Sequence, residues 1–221
     1  MYIIWSLLIG YLIGGINPAY MIAKHRGFDI RKHGSGNAGA SNAVITMGKK
    51  VGLISALFDI IKAFFAVELA NFLFPTTVLA GSVAGASCIL GHIFPVFMRF
   101  RGGKGLACLG GVILAFNPLV FVIMLLSELL LVLIVDYICV VPITASIVFP
   151  VVYVWMSKDT IGAALFGVIA LIMLFKHVEN LQRIRNGTEF HFSFLWKKNK
   201  EFDRLEGKAY DPLLDEQRKK D

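Results

Sequence analysis

Residues 118–135 read PLVFVIMLLSELLLVLIV, and this stretch decides the solvent in which the chain folds. Its one charge is Glu128. A hydrocarbon core of about 30 Å takes roughly 20 mostly apolar residues as a helix, and a run this uniform has no polar face to turn to water. The same texture recurs on both sides of it. Apolar stretches run from about Tyr2 to Ala23, Val51 to Phe74, Val78 to Met98, and Leu106 to Phe116, the last a short one before the Asn117-Pro118 break. Beyond Val135 come Ile138 to Met156 and Ile161 to Phe175. Across 221 residues the chain is 57% hydrophobic and 17% charged, where a soluble domain has roughly 45–50% and 25%. The expected fold is therefore an all-α polytopic membrane protein of about seven transmembrane helices. Residues 1–189 form one membrane domain, and 190–221 a basic, aromatic tail. No small-residue cleavage site follows the first stretch, which reads as a retained helix.

Positive charge sorts the connections. Twenty of the 22 Lys and Arg fall between the first and second stretches, between the third and fourth, or in the tail. Lys158 alone marks the other side, and Lys62 lies within a stretch. By the positive-inside bias the N-terminus is outside and the C-terminus cytoplasmic. A net charge of +7 in such a chain points to anionic substrates and lipid rather than nucleic acid. Cys88, Cys108 and Cys139 have no metal-ligand spacing and read as small buried hydrophobes, so no metal or cofactor is expected.

Three polar segments then share the cytoplasmic side. Gly34-Ser35-Gly36-Asn37-Ala38-Gly39-Ala40-Ser41-Asn42 offers small residues, a potential nest of amides and the side-chain donors Ser35, Asn37, Ser41 and Asn42. Gly102-Gly103-Lys104-Gly105 opens the fourth stretch, where free amides and a positive dipole end favour a phosphate that Lys104 neutralises. The spacing is not that of a Walker loop. His177-Val178-Glu179-Asn180 continues the last stretch and puts His177 and Asn180 on one helix face, with Glu189 following. Within the stretches, Asp59 and Lys62 are expected to pair, and His92 is read as a packing residue. Glu68 and Glu128 are placed near the opposite membrane face.

In order and on one side, these segments resemble the signatures of the bacterial acyl-phosphate:glycerol-3-phosphate acyltransferase family (PlsY type). The family reads roughly G-S-G-N-x-G-A-T/S-N, then G-H-x-F-P-V-F-x-x-F-x-G-G-K-G, then H-x-x-N-I/L-x-R-L/I-x-x-G-T-E. The resemblance covers about Tyr11 to Glu189 and implies a seven-helix enzyme of the bacterial inner membrane. Such an enzyme moves a fatty acyl group from acyl phosphate to the 1-hydroxyl of glycerol 3-phosphate, a step of phospholipid biosynthesis. Its partners are those two substrates, membrane lipid and an enzyme supplying the acyl phosphate. Carried to this sequence, Lys104, His177 and Asn180 take the catalytic roles. Ser35, Gly36, Asn37, Asn42, Gly102, Gly103, Gly105 and Glu189 bind substrate. An acyl phosphate is already activated, so no Ser or Cys nucleophile is needed.

The chain is a diverged member of that pattern. An Arg of the family is Ile45 here, and the family's R-Y-x-S turn is Asp136-Tyr137-Ile138-Cys139. Gly15-Ile16-Asn17-Pro18 replaces G-S-I-P. Two other readings stay open: transfer from acyl phosphate to a different acceptor, and a catalytically silent lipid-binding protein. A transporter is disfavoured because no internal repeat is visible.

Overall fold

The computed structural model describes residues 1–205, and every regular element within them is helical. In chain order these are α1 (Tyr2–Gly14), α2 (Pro18–His25), α3 (Ala40–Met47), α4 (Lys49–Leu73), α5 (Leu79–Ile93), α6 (Leu106–Phe116), α7 (Pro118–Val135), α8 (Val140–Ser157), α9 (Thr160–Arg185) and α10 (Lys198–Leu205). Each expected apolar stretch is thus helical. Five segments are long and apolar enough to cross a membrane: Tyr2–His25, Leu79–Met98, Pro118–Val135, Val140–Ser157 and Thr160–Arg185. α4 is also long, but it carries Asp59, Lys62 and Glu68. The part of the tail beyond residue 205, with Lys208, Arg218, Lys219 and Lys220, lies outside the described residues.

α5 is the central helix. From Ala80 to Ile89 its residues are all buried, and most are small, which lets neighbouring backbones approach closely. α1 uses this: a Cβ on Gly10 would overlap the Ala84 carbonyl, and one on Gly14 the Cys88 carbonyl. Phe149, Tyr153, Phe166 and Met173 of α8 and α9 fill the other side with Val67 and Ile89. α7 lies at the periphery. Leu119, Val122, Ile123, Leu125, Leu126, Leu130 and Ile134 are exposed, which suits lipid and no aqueous surface.

The first stretch is not one helix, as the sequence suggested. It breaks at Gly15–Asn17, where Asn17 caps α2 by accepting from the Tyr20 amide at 2.9 Å and Pro18 follows. Lys62 fills the break, donating to the Gly14 carbonyl at 2.9 Å and the Ile16 carbonyl at 2.5 Å. It also pairs with Asp59 at 2.6 Å, both side chains 3% exposed. His92 is more than packing: its Nδ1 lies 3.2 Å from Lys62 Nζ and 3.4 Å from Asp59 Oδ1. Helix geometry also moves Glu128. It stands nearer the Val135 end of α7 than the Pro118 end, with its carboxylate accepting from Thr144 at 2.7 Å.

The two ends of the bundle differ. At one, Tyr2 meets Phe74 and Ser82, Tyr153 and Asp159 form a small hydrogen-bonded group. At the other, Arg31 donates to Met98 O at 2.7 Å, Lys104 to Asn180 and Ser193 to Asp136. All three polar segments lie at this second end.

Candidate active site

The first segment is organised by Asn42. Fully buried, it donates to the carbonyls of Asn37 (2.7 Å), Ile30 (3.0 Å) and His33 (3.0 Å) and accepts from the Ser35 amide at 2.8 Å. Gly34, at φ 59°, sits so close that a Cβ would overlap the Asn42 oxygen. Asn42 therefore shapes the loop, its side-chain amide spent on the chain itself. The expected amide nest is also spoken for, since the Gly36 amide donates to His33 O at 3.0 Å. What the loop presents is the Ser35 hydroxyl, which has no protein partner among the described residues, and the side-chain amide of half-buried Asn37.

The second segment folds back on its own helix. Arg99 and Phe100 take left-handed φ values of 54° and 58°, an arrangement that costs roughly 1–2 kcal/mol per residue. The reversal lays Gly102 and Gly103 along the end of α5, their amides donating to Ile93 O and His92 O at 3.0 Å each. Those amides are not free for a phosphate, as the sequence had suggested. The two glycines serve packing: a Cβ on Gly103 would run into the His92 ring, and one on Gly102 into the His92 carbonyl. Gly105, at φ 93°, then turns the chain into α6, whose first-turn amides have no partner within the helix.

The third segment supplies the partners. Lys104 Nζ donates to Asn180 Oδ1. Asn180 Nδ2 donates to Glu189 Oε1 at 2.5 Å, and Arg183 Nε to Glu189 Oε2 at 2.6 Å. Glu189, 6% exposed, has both oxygens engaged. It orients Asn180 and Arg183. Burial, then the neighbouring Arg183, brings the Lys104 ammonium down from its ordinary 10.5 to about 8. His177 is buried, and its Nδ1 lies 2.7 Å from the Met173 carbonyl. A carbonyl only accepts, so Nδ1 carries the hydrogen and the neutral ring keeps its lone pair on Nε2.

One residue of this group, Arg183, was given no role in the sequence reading. Arg183 Nη2 is shielded from solvent yet has no hydrogen-bond partner among the described residues. The signal was there, since Arg183 shares the helix face of Asn180 three residues on. Cys139 is buried beside the same charges. Burial, then Glu189, pushes its thiol up to about 12, so it stays protonated and is no nucleophile. Among the described residues Asp59, His92 and Cys108 come close enough to share a metal, but the Lys62 ammonium already fills that place.

Lipid-facing helices around a half-buried cation, an oriented amide and an imidazole with a free nitrogen define an integral membrane enzyme. The chain matches the family described as glycerol-3-phosphate acyltransferase over residues 4–187, and it belongs to that family. A glycerol-3-phosphate acyltransferase of Exiguobacterium sibiricum is 38% identical over 209 residues, covering 91% of this chain and 98% of the relative. One of Streptococcus thermophilus is 38% identical over 200 residues, 86% of this chain and 92% of its own. Among solved structures, a crystal structure of PlsY, an integral membrane glycerol 3-phosphate acyltransferase, in its glycerol 3-phosphate form has a TM-score of 0.79. It is 32% identical and spans 87% of this chain and 96% of its own. Its lysophosphatidic acid form has a TM-score of 0.75 at 31% identity.

Proposed function

We propose that this protein transfers an acyl group from acyl phosphate to the 1-hydroxyl of glycerol 3-phosphate at the cytoplasmic face of the bacterial inner membrane. The observation that carries the reading is the chain Lys104–Asn180–Glu189–Arg183, which aims a half-buried ammonium and an unpartnered guanidinium nitrogen into one place. Cations desolvated before the substrate arrives need no reorganisation to hold a phosphate. Arg183 thereby supplies a guanidinium that Ile45 does not. The Ser35 hydroxyl, Asn37 and the first turn of α6 add donors for the second phosphate.

In the reaction, the acceptor hydroxyl oxygen bonds to the acyl carbonyl carbon. The bond from that carbon to the bridging phosphate oxygen breaks, and phosphate leaves with the electron pair. His177 Nε2 takes the hydroxyl proton. Lys104 and Arg183 hold the acceptor's phosphate, and proximity supplies much of the rate because the acyl group is already activated. A groove lined by Leu106, Leu109, Ile113, Phe121, Met124 and Ala145, with Glu128 also at its wall, begins two residues beyond Lys104 and suits the acyl chain.

The deciding experiment gives purified protein in detergent an acyl phosphate with glycerol 3-phosphate or with glycerol. Lysophosphatidic acid formed from the first alone supports the reading. Acylation of glycerol alone establishes the other-acceptor reading, and no product from either leaves a silent lipid binder. For orientation, reporter fusions at Lys158 and at the C-terminus should give opposite signals, with the C-terminus inside.

A further inference from the structure

The chain beyond α9 lies across the end of the bundle that carries the site. Phe192 donates its amide to the Asp136 carbonyl at 2.7 Å, and Ser193 donates its amide (2.6 Å) and hydroxyl (2.8 Å) to the Asp136 carboxylate. His191 lies 3.1 Å from the Tyr137 hydroxyl and 3.0 Å from Glu201 Oε2. Phe194, 7% exposed, closes with Phe190 over Ile45 of α3. Two of the seats, Ile45 and Asp136, are positions where the sequence departs from the family pattern.

The return contact comes from α10. Arg204 donates Nη1 to the Gly187 carbonyl at 2.7 Å and Nη2 to the Glu189 carbonyl at 2.6 Å. Glu201 holds the same guanidinium, with Nε to Oε2 at 3.0 Å and Nη2 to Oε1 at 2.5 Å. It also accepts from the His191 amide at 2.8 Å. Glu189 stands outside any helix, so its carboxylate is fixed only as well as its backbone is. A planar fork gripping the carbonyls on both sides of Thr188 fixes that backbone.

We propose that residues 190–205 are a cross-brace of the acceptor site, in which Arg204, held by Glu201, positions Glu189 and through it Asn180 and Lys104. The proposal rests on the reading that Lys104 meets the acceptor's phosphate. The brace ties α3, the α7–α8 turn and the end of α9 together, and it occupies the side where Ile45 leaves no cation.

The test uses the full chain with Arg204→Gln and Glu201→Gln. These remove opposite charges. A long-range field would move phosphate affinity in opposite directions, whereas a brace is weakened by either change. Two readouts are taken: KM for glycerol 3-phosphate at saturating acyl phosphate, and stabilisation by inorganic phosphate in a thermal titration. Both variants should raise the KM and weaken phosphate binding by about fivefold or more, which is about 1 kcal/mol. kcat and the KM for acyl phosphate should stay within about twofold, with Arg204→Lys intermediate. Opposite shifts, unchanged affinities, or a fall in kcat with lowered melting temperature alone would each overturn the brace. If the unaltered protein ignores glycerol 3-phosphate, the proposed function falls, while the phosphate titration still decides the brace.

Discussion

Glu189 gives Asn180 a single orientation: its Oε1 accepts from Asn180 Nδ2 at 2.5 Å, which leaves Oδ1 of the same amide to face Lys104. A carboxylate cannot donate, so the amide has no equivalent flipped state. Replacing Asn180 by Asp puts a second carboxylate against Glu189, where both cannot stay ionised. Losing one hydrogen bond to a charged group costs about 1.5–3 kcal/mol. Asn180→Asp should therefore lower kcat/KM about 10- to 100-fold, measured as product formed in detergent. Activity within twofold would mean the chain from Glu189 to Lys104 does not matter to turnover.

Lys104 sets a pH limit. With its ammonium near 8 in the free protein, raising pH through that value removes the charge that meets phosphate. KM for glycerol 3-phosphate should be flat below pH 7.5 or so and climb above 8, toward about tenfold per unit. Lys104→Arg keeps its charge far above this range and should flatten the profile, even at reduced activity. A wild-type KM constant to pH 9.5 would refute the assignment.

His177 has its free nitrogen because Met173 holds the other one. If Nε2 takes the hydroxyl proton, His177→Gln should lower kcat by about 10²–10⁴ with KM changed little. The measurement is kcat at saturating concentrations of both substrates. A drop below threefold would assign the proton to a substrate phosphate.

Gly103 separates packing from phosphate binding. Its amide is bonded to His92 O, and a Cβ would overlap the His92 ring. Gly103→Ala should displace the buried Asp59–Lys62–His92 cluster and lower the melting temperature, by an overpacking cost of about 1–3 kcal/mol. Thermal unfolding in detergent reads it. Unchanged stability with a raised KM would restore a direct role for this backbone.

The helices were legible because lipid leaves a simple record: long apolar runs, with charge gathered on one side. Lys104, His177 and Asn180 could be singled out in the sequence because their motifs are local, and the structure joins Lys104 to Asn180 by a hydrogen bond. What the sequence did not show depends on contacts between distant segments. Nothing local says that the Gly102 and Gly103 amides turn back to α5, or that Asn42 spends itself on three carbonyls. His92 looked like packing because Asp59 and Lys62 lie on another helix. The docking of Phe194 on Ile45 joins residues from opposite ends of the chain, beyond the reach of any periodicity.

The break between α1 and α2 bears on how the protein enters its membrane. A lone Lys at mid-helix opposes insertion by about 2.5–3.5 kcal/mol. Lys62 is spared that isolation by Asp59 on its own helix and by two carbonyls exposed only where the preceding hairpin partner is interrupted. Synthesis runs from the N-terminus, so those carbonyls are already in place when α4 leaves the ribosome. The first segment thus supplies, inside the bundle, the acceptors that a charge-bearing helix needs there.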